Sequence, residues 1–328
     1  MTAPRVVVLG DVVVDVVAHL AGPPLPGSDQ AASISLVGGG AGANVAAWLA
    51  AAGVDAHLVA RVGDDDAGRA QAAALRAAGV TCHLAVDRER PTGTIVVLVT
   101  PDGERTMLPD RGANLRLAPA DLPDGLLRAG DHLHVSGYAL LDAGPRRAAR
   151  RALAVARERG ASTSVDTSSV GPLRQVGPER FLAWTHGVDL CRANAAEAVL
   201  LAGRESLQEA AAALVGPFRE VVVTLGADGA LHADATGTTT VPAAPAAVRD
   251  TTGAGDAFTA GYLAARLGGA APREALVAGA RLAARAVTVT GARPVARDAQ
   301  GTPAPPAGPD DGPGPGESLA PPADRAAP

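Results

Sequence analysis

Asp250-Thr-Thr-Gly-Ala-Gly-Asp256 runs without a break into Ala257-Phe-Thr-Ala-Gly-Tyr-Leu-Ala-Ala-Arg-Leu267. A Gly-Ala-Gly turn therefore opens directly into a helical pattern. Backbone N–H groups converge at such a helix N-terminus, and the helix dipole favours an anion there. A carboxylate at Asp256 repels a phosphate and so does not help to hold one. It is useful if it takes a proton from a hydroxyl that attacks the phosphate. Anion cradle plus adjacent base is what phosphoryl transfer to an alcohol requires. The competing reading is structural: Gly253 and Gly255 make a tight turn, and Asp256 caps a helix.

The chain has 328 residues, of which 47% are hydrophobic and only 2% aromatic, so Ala, Val and Leu must fill a large core. The net charge of −5 gives no basis for binding nucleic acid or an anionic membrane. No apolar run approaches the ~20 residues of a membrane span. Val6–Leu9 is too short for a signal-peptide core and reads as a first strand. Cys82 and Cys191 are far apart and match no metal spacing, which fits buried thiols in a cytoplasmic protein. The seven histidines show no metal spacing either, and only His19 stands near a candidate site. All 29 basic residues are arginine, because the chain contains no lysine. That excludes a P-loop NTPase, the protein-kinase fold and any Schiff-base chemistry, each of which needs a lysine.

Strands are expected at Val6–Leu9, Val12–Val17, Ser33–Val37, Ala56–Val62, His132–Val135, Ser162–Asp166, Leu190–Arg192 and Val221–Leu225. Helices are expected at Ala43–Ala52, Ala67–Ala78, Pro145–Arg159, Ala195–Leu201, Ala257–Leu267 and Pro272–Val287. Near-continuous apolar strands alternating with helices imply an α/β fold with a mostly parallel sheet covered on both faces. Pro101-Asp-Gly103, between Thr94–Thr100 and Arg105–Leu108, signals a hairpin. With the early strands it breaks the β-α rhythm and suggests a small β appendage. Beyond about Arg297 the composition turns to Pro, Ala, Gly and Asp, so residues 298–328 are expected to form a disordered tail after a domain of residues 1–297.

A second glycine cluster, Gly38-Gly-Gly-Ala-Gly-Ala-Asn44, precedes the first helix. Alone, Gly38-x-Gly40-x-x-Ala43 fits a dinucleotide fingerprint, with Asp55 or Asp64 as the ribose acid, and so an NAD(P)-dependent oxidoreductase. Taken with Asp250–Asp256, the two clusters resemble the PfkB family of sugar kinases, which has the ribokinase-like fold. Asn194-Ala-Ala-Glu197, Thr224-Leu-Gly-Ala-Asp-Gly229, Arg111-Gly-Ala-Asn114 and Gly291-Ala-Arg-Pro294 also match family segments in the right order. The resemblance covers roughly residues 5 to 296.

The resemblance implies a three-layer α/β/α sandwich with a β-lid from about residues 12–37 and 91–111. It implies ATP-dependent phosphorylation of a hydroxyl on a sugar or sugar acid, or in a rival reading on a nucleoside. Asp256 would be the general base, and the N–H groups of Gly253, Ala254 and Gly255 the anion hole. Asp15, Gly39, Gly40 and Asn44 would hold the acceptor. Arg111 stands where ribokinase has a neutral or weakly basic residue and could meet an acidic acceptor or the phosphate, or merely sit on the surface. Asn194 and Glu197 would hold Mg²⁺ through water, and Thr224, Gly226 and Gly229 would line the ATP site. Asp250, with backbone near Thr252 and Gly291, would surround a monovalent cation such as K⁺. A homodimer through the lid is also implied. Plainer roles exist for several of these residues. Asp15 could be a strand-end turn acid, and Asn194 with Glu197 a capping box. Two departures matter. Ala41 replaces the lysine that ribokinases carry in the first glycine run, and Ala280 replaces the Asn or His that many members set against adenine.

A tail of this composition cannot bury enough apolar surface to fold. Truncation after Arg297 is therefore expected to leave the melting temperature and turnover nearly unchanged. A fall of several degrees in Tm would show that the tail packs on the fold.

Overall fold

Val6, Val7, Val8 and Leu9 are all fully buried, because the strand they form is covered on both faces. The computed structural model describes residues 5–294, which belong to one compact unit, and the tail expected at 298–328 lies outside the described residues. In chain order, β1 (Val6–Leu9) leads to β2 (Val13–Leu20), β3 (Ala32–Gly39), α1 (Ala41–Ala51), β4 (Ala56–Gly63), α2 (Asp66–Ala77) and β5 (Thr81–Asp87). The hairpin β6 (Gly93–Val99) and β7 (Arg105–Asp110) comes next. Then follow β8 (His132–Val135), α3 (Tyr138–Leu141), α4 (Ala143–Arg159), β9 (Ser162–Asp166), α5 (Val170–Val176), α6 (Pro178–Trp184), β10 (Leu190–Asn194), α7 (Ala195–Ala202) and α8 (Leu207–Leu214). The described residues end with β11 (Glu220–Thr224), β12 (Ala230–Asp234), β13 (Gly237–Val241), α9 (Ala254–Leu267) and α10 (Pro272–Ala286).

The main sheet has the order β13-β12-β11-β10-β9-β8-β1-β4-β5. It is parallel from β11 to β5, and the antiparallel pairings are β11–β12 and β12–β13 at one edge. Alternate strand residues face opposite layers. Val7, Leu9, Val135 and Val223 pack with residues of α4 to α8, whereas Val6, Val8, Leu58 and Val222 pack with α1, α9 and α10. This is the expected three-layer α/β/α sandwich. The strand β5, the helices α5, α6 and α8, and the edge strands β12 and β13 were not anticipated. Their sequences are short, and β13 is largely Thr, so their apolar period is weak.

The second sheet, β3-β2-β6-β7, is the lid. Its register puts Asp15, Ile95 and Pro109 in one row, and Val17, Val97 and Met107 in the next. Asp15, Ile95, Val97, Met107 and Pro109 line a cavity beneath the sheet. The intervening rows, Leu36–Val16–Val96–Leu108 and Ile34–Ala18–Leu98–Thr106, form the other face. There Ile34, Leu36 and Leu108 are exposed.

Candidate active site

The cavity under the lid, about 810 Å³, lies along the C-terminal ends of β1, β9 and β10. In open parallel sheets ligands bind at these ends, because the connecting loops and helix N-termini converge there. A second cavity of about 650 Å³ sits beside it, and the two share Arg192, Asn194 and Gly255.

Asp256 stands in the first turn of α9, whose N-cap Gly253 has the left-handed φ of 73°. A side chain at Gly253 would strike the Ala292 carbonyl, and one at Gly255 would strike the Arg192 guanidinium. Gly253 is therefore required by its left-handed φ and the backbone approach, whereas at Gly255 the guanidinium of Arg192 would have to move. Among the described residues, the Gly253 and Gly255 N–H groups have no acceptor, as expected for a first helical turn. Ala254 differs, since its N–H turns to the Thr251 carbonyl at 3.3 Å.

Asn44 Nδ2 donates to Asp256 Oδ2 at 2.9 Å, and Asn44 Oδ1 accepts from Arg293 Nε at 3.2 Å. The arginine thus fixes which end of the amide meets the carboxylate. Burial pushes the Asp256 carboxyl up to about 7, although the Asn44 bond and Arg192 oppose the shift. Asp166 and Asp11 nearby add to it. A carboxylate so tuned accepts a proton readily near neutral pH.

Asp15 is buried and its Oδ1 has no partner. Burial raises its carboxyl to about 6, with Arg293 opposing and Asp11 reinforcing. An orphan buried oxygen facing a cavity is the expected form of a hydroxyl-binding group. The glycines before α1 serve it indirectly. A side chain at Gly39 would run into the Asp15 carboxylate, and the Gly39 carbonyl is taken by Arg293 Nη2 at 2.6 Å. Gly40, with φ 96°, lines the cavity against the Asp11 backbone. Asp11 Oδ1 accepts from Gly42 N at 3.2 Å, so the α1 N-terminus already carries a carboxylate. A pyrophosphate has no place there, and α1 follows a lid strand rather than the first strand of a β-α-β unit. The NAD(P) reading of Gly38–Ala43 therefore fails.

Arg111 reaches the cavity but is spent on the protein. It donates to Asp142 Oδ2 at 2.5 Å and to the Tyr138 carbonyl at 2.9 Å, and its guanidinium lies over the Tyr138 ring. Asn194 and Glu197 do form the capping box of α7. Glu197 also accepts from Thr167 Oγ1 at 2.5 Å. Both residues nevertheless line the first cavity with Asp166. Burial works to raise Asp166, but His134, the Gly137 N–H and Arg192 outweigh it and hold the group below the usual carboxylate range. Among the described residues, no group of three or more His, Cys, Asp or Glu is set to hold a metal by itself. Three oxygen-bearing side chains lining one cavity fit Mg²⁺, which keeps waters and takes phosphate oxygens.

The second cavity is lined by Thr224, Gly226 and Gly229, with Phe258, Ala280, Ala283 and Val287 as an apolar wall. A side chain at Gly229 would strike the Val241 carbonyl, and Gly226 has φ 62°. Ala280 leaves the wall smooth, as its small side chain implied. Apolar-walled and adjacent to the N-terminus of α9, this cavity has room for a purine and its sugar.

Asp250, Thr252 and Gly291 do come together. The Gly291 N–H donates to Asp250 Oδ2 at 2.9 Å, and the Thr252 N–H and hydroxyl donate to Oδ1 at 2.8 and 2.7 Å. A cation is already present in this group: Arg105 of β7 donates to Asp250 Oδ1 at 2.6 Å and also to the Thr252 hydroxyl. A further K⁺ does not fit against a carboxylate so fully engaged.

Several residues of the site escaped the sequence reading. Arg192 lines both cavities, donates to Thr224 Oγ1 at 3.2 Å and has an unpartnered Nε. The available signal was an arginine inside the otherwise buried strand β10. Asp11 and Asp166 end β1 and β9, where sequence offers only an acid after an apolar run. Arg105 had no local signal, and Arg293 stood inside the matched segment Gly291–Pro294 without being singled out.

A family model described as "pfkB family carbohydrate kinase" matches residues 3–299. An ATP-dependent ribose-1-phosphate kinase from Halopiger xanaduensis is 33% identical over 73% of this chain and 78% of its own length. A fructokinase from Klebsiella pneumoniae is 32% identical over 79% of this chain and 83% of its own. Among solved structures, adenosine kinase from Sinorhizobium meliloti superposes with a TM-score of 0.81 at 26% identity, covering 89% of this chain and 96% of that one.

Asp256→Asn keeps the shape of the turn but cannot take a proton. A positioned base contributes ~10²–10⁴-fold, so turnover is expected to fall by that factor with nucleotide affinity preserved. The folded-state pKa lies above the ordinary value, so the native protein binds the extra proton between about pH 4 and 7. This group therefore costs stability as pH rises through that window. At pH 8 the Asn variant should melt no lower than wild type. Wild-type kcat should rise with pH through an inflection near 7 that the variant lacks. Near wild-type turnover in the variant would refute the assignment.

Proposed function

Because this chain belongs to the pfkB family of carbohydrate kinases and is an ATP-dependent kinase, we propose that the cavity under its lid takes a neutral polyhydroxy acceptor, a sugar. The observation that carries this is one cavity holding two up-shifted carboxylates, Asp15 and Asp256, and sharing Arg192 with an adjoining apolar-walled cavity. Asp15 accepts hydrogen bonds from acceptor hydroxyls. Asp256 takes the proton of the attacking hydroxyl, held in orientation by Asn44 and Arg293. Arg192 and the N–H groups of Gly253 and Gly255 receive the charge of the transferring phosphoryl group. Asp166, Asn194 and Glu197 would hold Mg²⁺ through water, and the ion would supply positive charge to the phosphate oxygens of the nucleotide. Potassium is left out of the proposal, since Arg105 occupies Asp250. The lid excludes water, which would otherwise take the phosphoryl group.

The charge balance of the cavity narrows the acceptor. Asp11, Asp15, Asp110 and Asp142 line it, and its arginine at the acceptor end, Arg111, is paired with Asp142. That disfavours sugar acids. A nucleoside is the second reading, favoured by the apolar lid underside of Val13, Ile95, Val97, Met107 and Pro109, which could cover a base. An ADP-release screen across hexoses, pentoses, sugar acids and nucleosides separates these acceptors. Best turnover on a sugar acid would overturn the reading. We further place the kinase in the cytoplasm, where ATP is at hand and the free thiols Cys82 and Cys191 would persist.

Asp15→Ala removes hydrogen bonds that form before and during the reaction alike. Acceptor KM is expected to rise by roughly 10- to 100-fold, the loss of one or two charged hydrogen bonds. The KM for ATP should not move. If ATP binding weakens and acceptor KM stays constant, the orientation of the site is reversed.

We also propose a homodimer through the outer lid face, where Ile34, Leu36 and Leu108 are exposed on adjoining rows. Sedimentation of wild type should give a dimer, and Leu36→Glu a monomer. A wild-type monomer at micromolar concentration counts against it.

A further inference from the structure

The link between Arg105 and Asp250 joins two parts of the molecule that must act together. Arg105 begins β7, the lid strand whose alternate residues Met107 and Pro109 cover the acceptor cavity. Asp250 and Thr252 lead into Gly253, where the anion-binding turn starts. The guanidinium spans from one to the other with two donors: Nη2 to Asp250 Oδ1 at 2.6 Å, and Nη1 to the Thr252 hydroxyl. Both partners are shielded, with side-chain exposures of 24% for Arg105 and 16% for Asp250. A part-buried guanidinium held at two points, one on the carboxylate and one on the hydroxyl, is geometrically more specific than a surface salt bridge.

The local wiring makes the pair consequential. Asp250 Oδ1 also accepts from the Thr252 N–H and hydroxyl, so the carboxylate holds the backbone at the entrance to the turn. Its other oxygen holds the Gly291 N–H, and the neighbouring Ala292 carbonyl packs against Gly253 and accepts from Trp48 Nε1 at 2.9 Å. Both oxygens of Asp250 are thus engaged, and Arg105 is the cation among their partners. Withdrawal of the lid would remove that charge and leave a part-buried carboxylate without a cation.

We propose that Arg105 is a positioning residue, standing where a monovalent cation would otherwise sit, through which lid closure orders the anion-binding turn. The turn is then fully formed only when the acceptor cavity is covered. The enzyme supplies this cation itself and needs none from solution. The role in turnover rests on the kinase reading above, but the ordering of the turn does not.

The test uses the full chain. Arg105→Ala is expected to lower kcat by roughly 10- to 100-fold, the cost of a slightly misplaced reacting group. Adenine-site affinity, read by ADP-induced thermal shift, should be unchanged. Guanidinium at millimolar concentration should restore part of the lost turnover in Arg105→Ala and none in wild type, an effect that a merely structural arginine would not show. Amide hydrogen exchange at Thr251–Gly255, measured without substrates, should speed up in the variant. Wild-type rates should be equal in potassium, sodium and Tris buffers. Arg105→Gln provides a second variant of closer size should the alanine protein fail to fold. Unchanged kcat and unchanged exchange in the variants, or marked potassium activation of wild type, would overturn the proposal. If wild type phosphorylates no acceptor in the screen, the kinase reading fails, and the exchange measurement still decides the role of Arg105.

Discussion

The hydrogen bond from Asn44 to Asp256 spans 212 residues of sequence and ties together the N-termini of the two helices that bound the site. Much of the catalytic arrangement depends on it. α1 must approach β1 closely enough for a side chain at Gly42 to be excluded by Gly10, or Asn44 would stand too far out. α9 must present Asp256 from its first turn, which the left-handed Gly253 allows. Arg293 holds the amide of Asn44 in the one orientation that donates to a carboxylate, and it reaches Gln71 at 2.8 Å and the Gly39 carbonyl from the same guanidinium. One buried cation thereby sets the base and the glycine strand beneath Asp15. Its own proton is held less tightly for that burial: the group is lowered to about 10, even though Asp15, Asp11 and Asp256 pull the other way.

The site is a balance of buried charges rather than a set of independent residues. Asp11, Asp15, Asp166 and Asp256 crowd the C-terminal edge of the sheet, and Arg192 and Arg293 answer them. Desolvation and mutual repulsion raise Asp256 and Asp15, while hydrogen bonds and His134 depress Asp166. Neighbouring acids thus acquire different proton affinities from their surroundings alone, as division of labour between a proton acceptor and a cation-holding group requires. The absence of lysine is consistent with this design. A guanidinium remains charged when buried and bridges two partners at fixed geometry, as Arg105 and Arg293 each do.

The sheet was legible because its strands are buried on both faces. Runs such as Val6–Leu9 and Val221–Val223 cannot be anything but interior, and helices with small residues pack over them. β12 and β13 were not legible. They lie at the sheet edge, where Thr and His replace the apolar run, and their existence depends on pairing with β11. The lid was legible as an interruption of the β-α rhythm and as a Pro-Asp-Gly hairpin, but its two faces were not. Which face looks into the cavity depends on register, since a shift of one residue exchanges them.

Sequence alone determined the chemistry that the chain can perform. The Gly-Ala-Gly-Asp turn before α9, the glycine run before α1 and the Asn-x-x-Glu step are local patterns, and local backbone physics suffices to read a helix N-terminus, a tight turn or a cap. Tertiary structure decided what surrounds each group. Asp250 has Arg105 as its cation because a lid strand 145 residues away reaches it. Arg111 is not free for an acid because Asp142 is beside it. Glycines 39 and 229 are needed because of a carboxylate and a carbonyl from other segments. Desolvation, Coulomb interaction and steric exclusion act through space and depend on distances that the order of residues does not contain, so proton affinity, charge pairing and acceptor choice emerge only when the chain has folded.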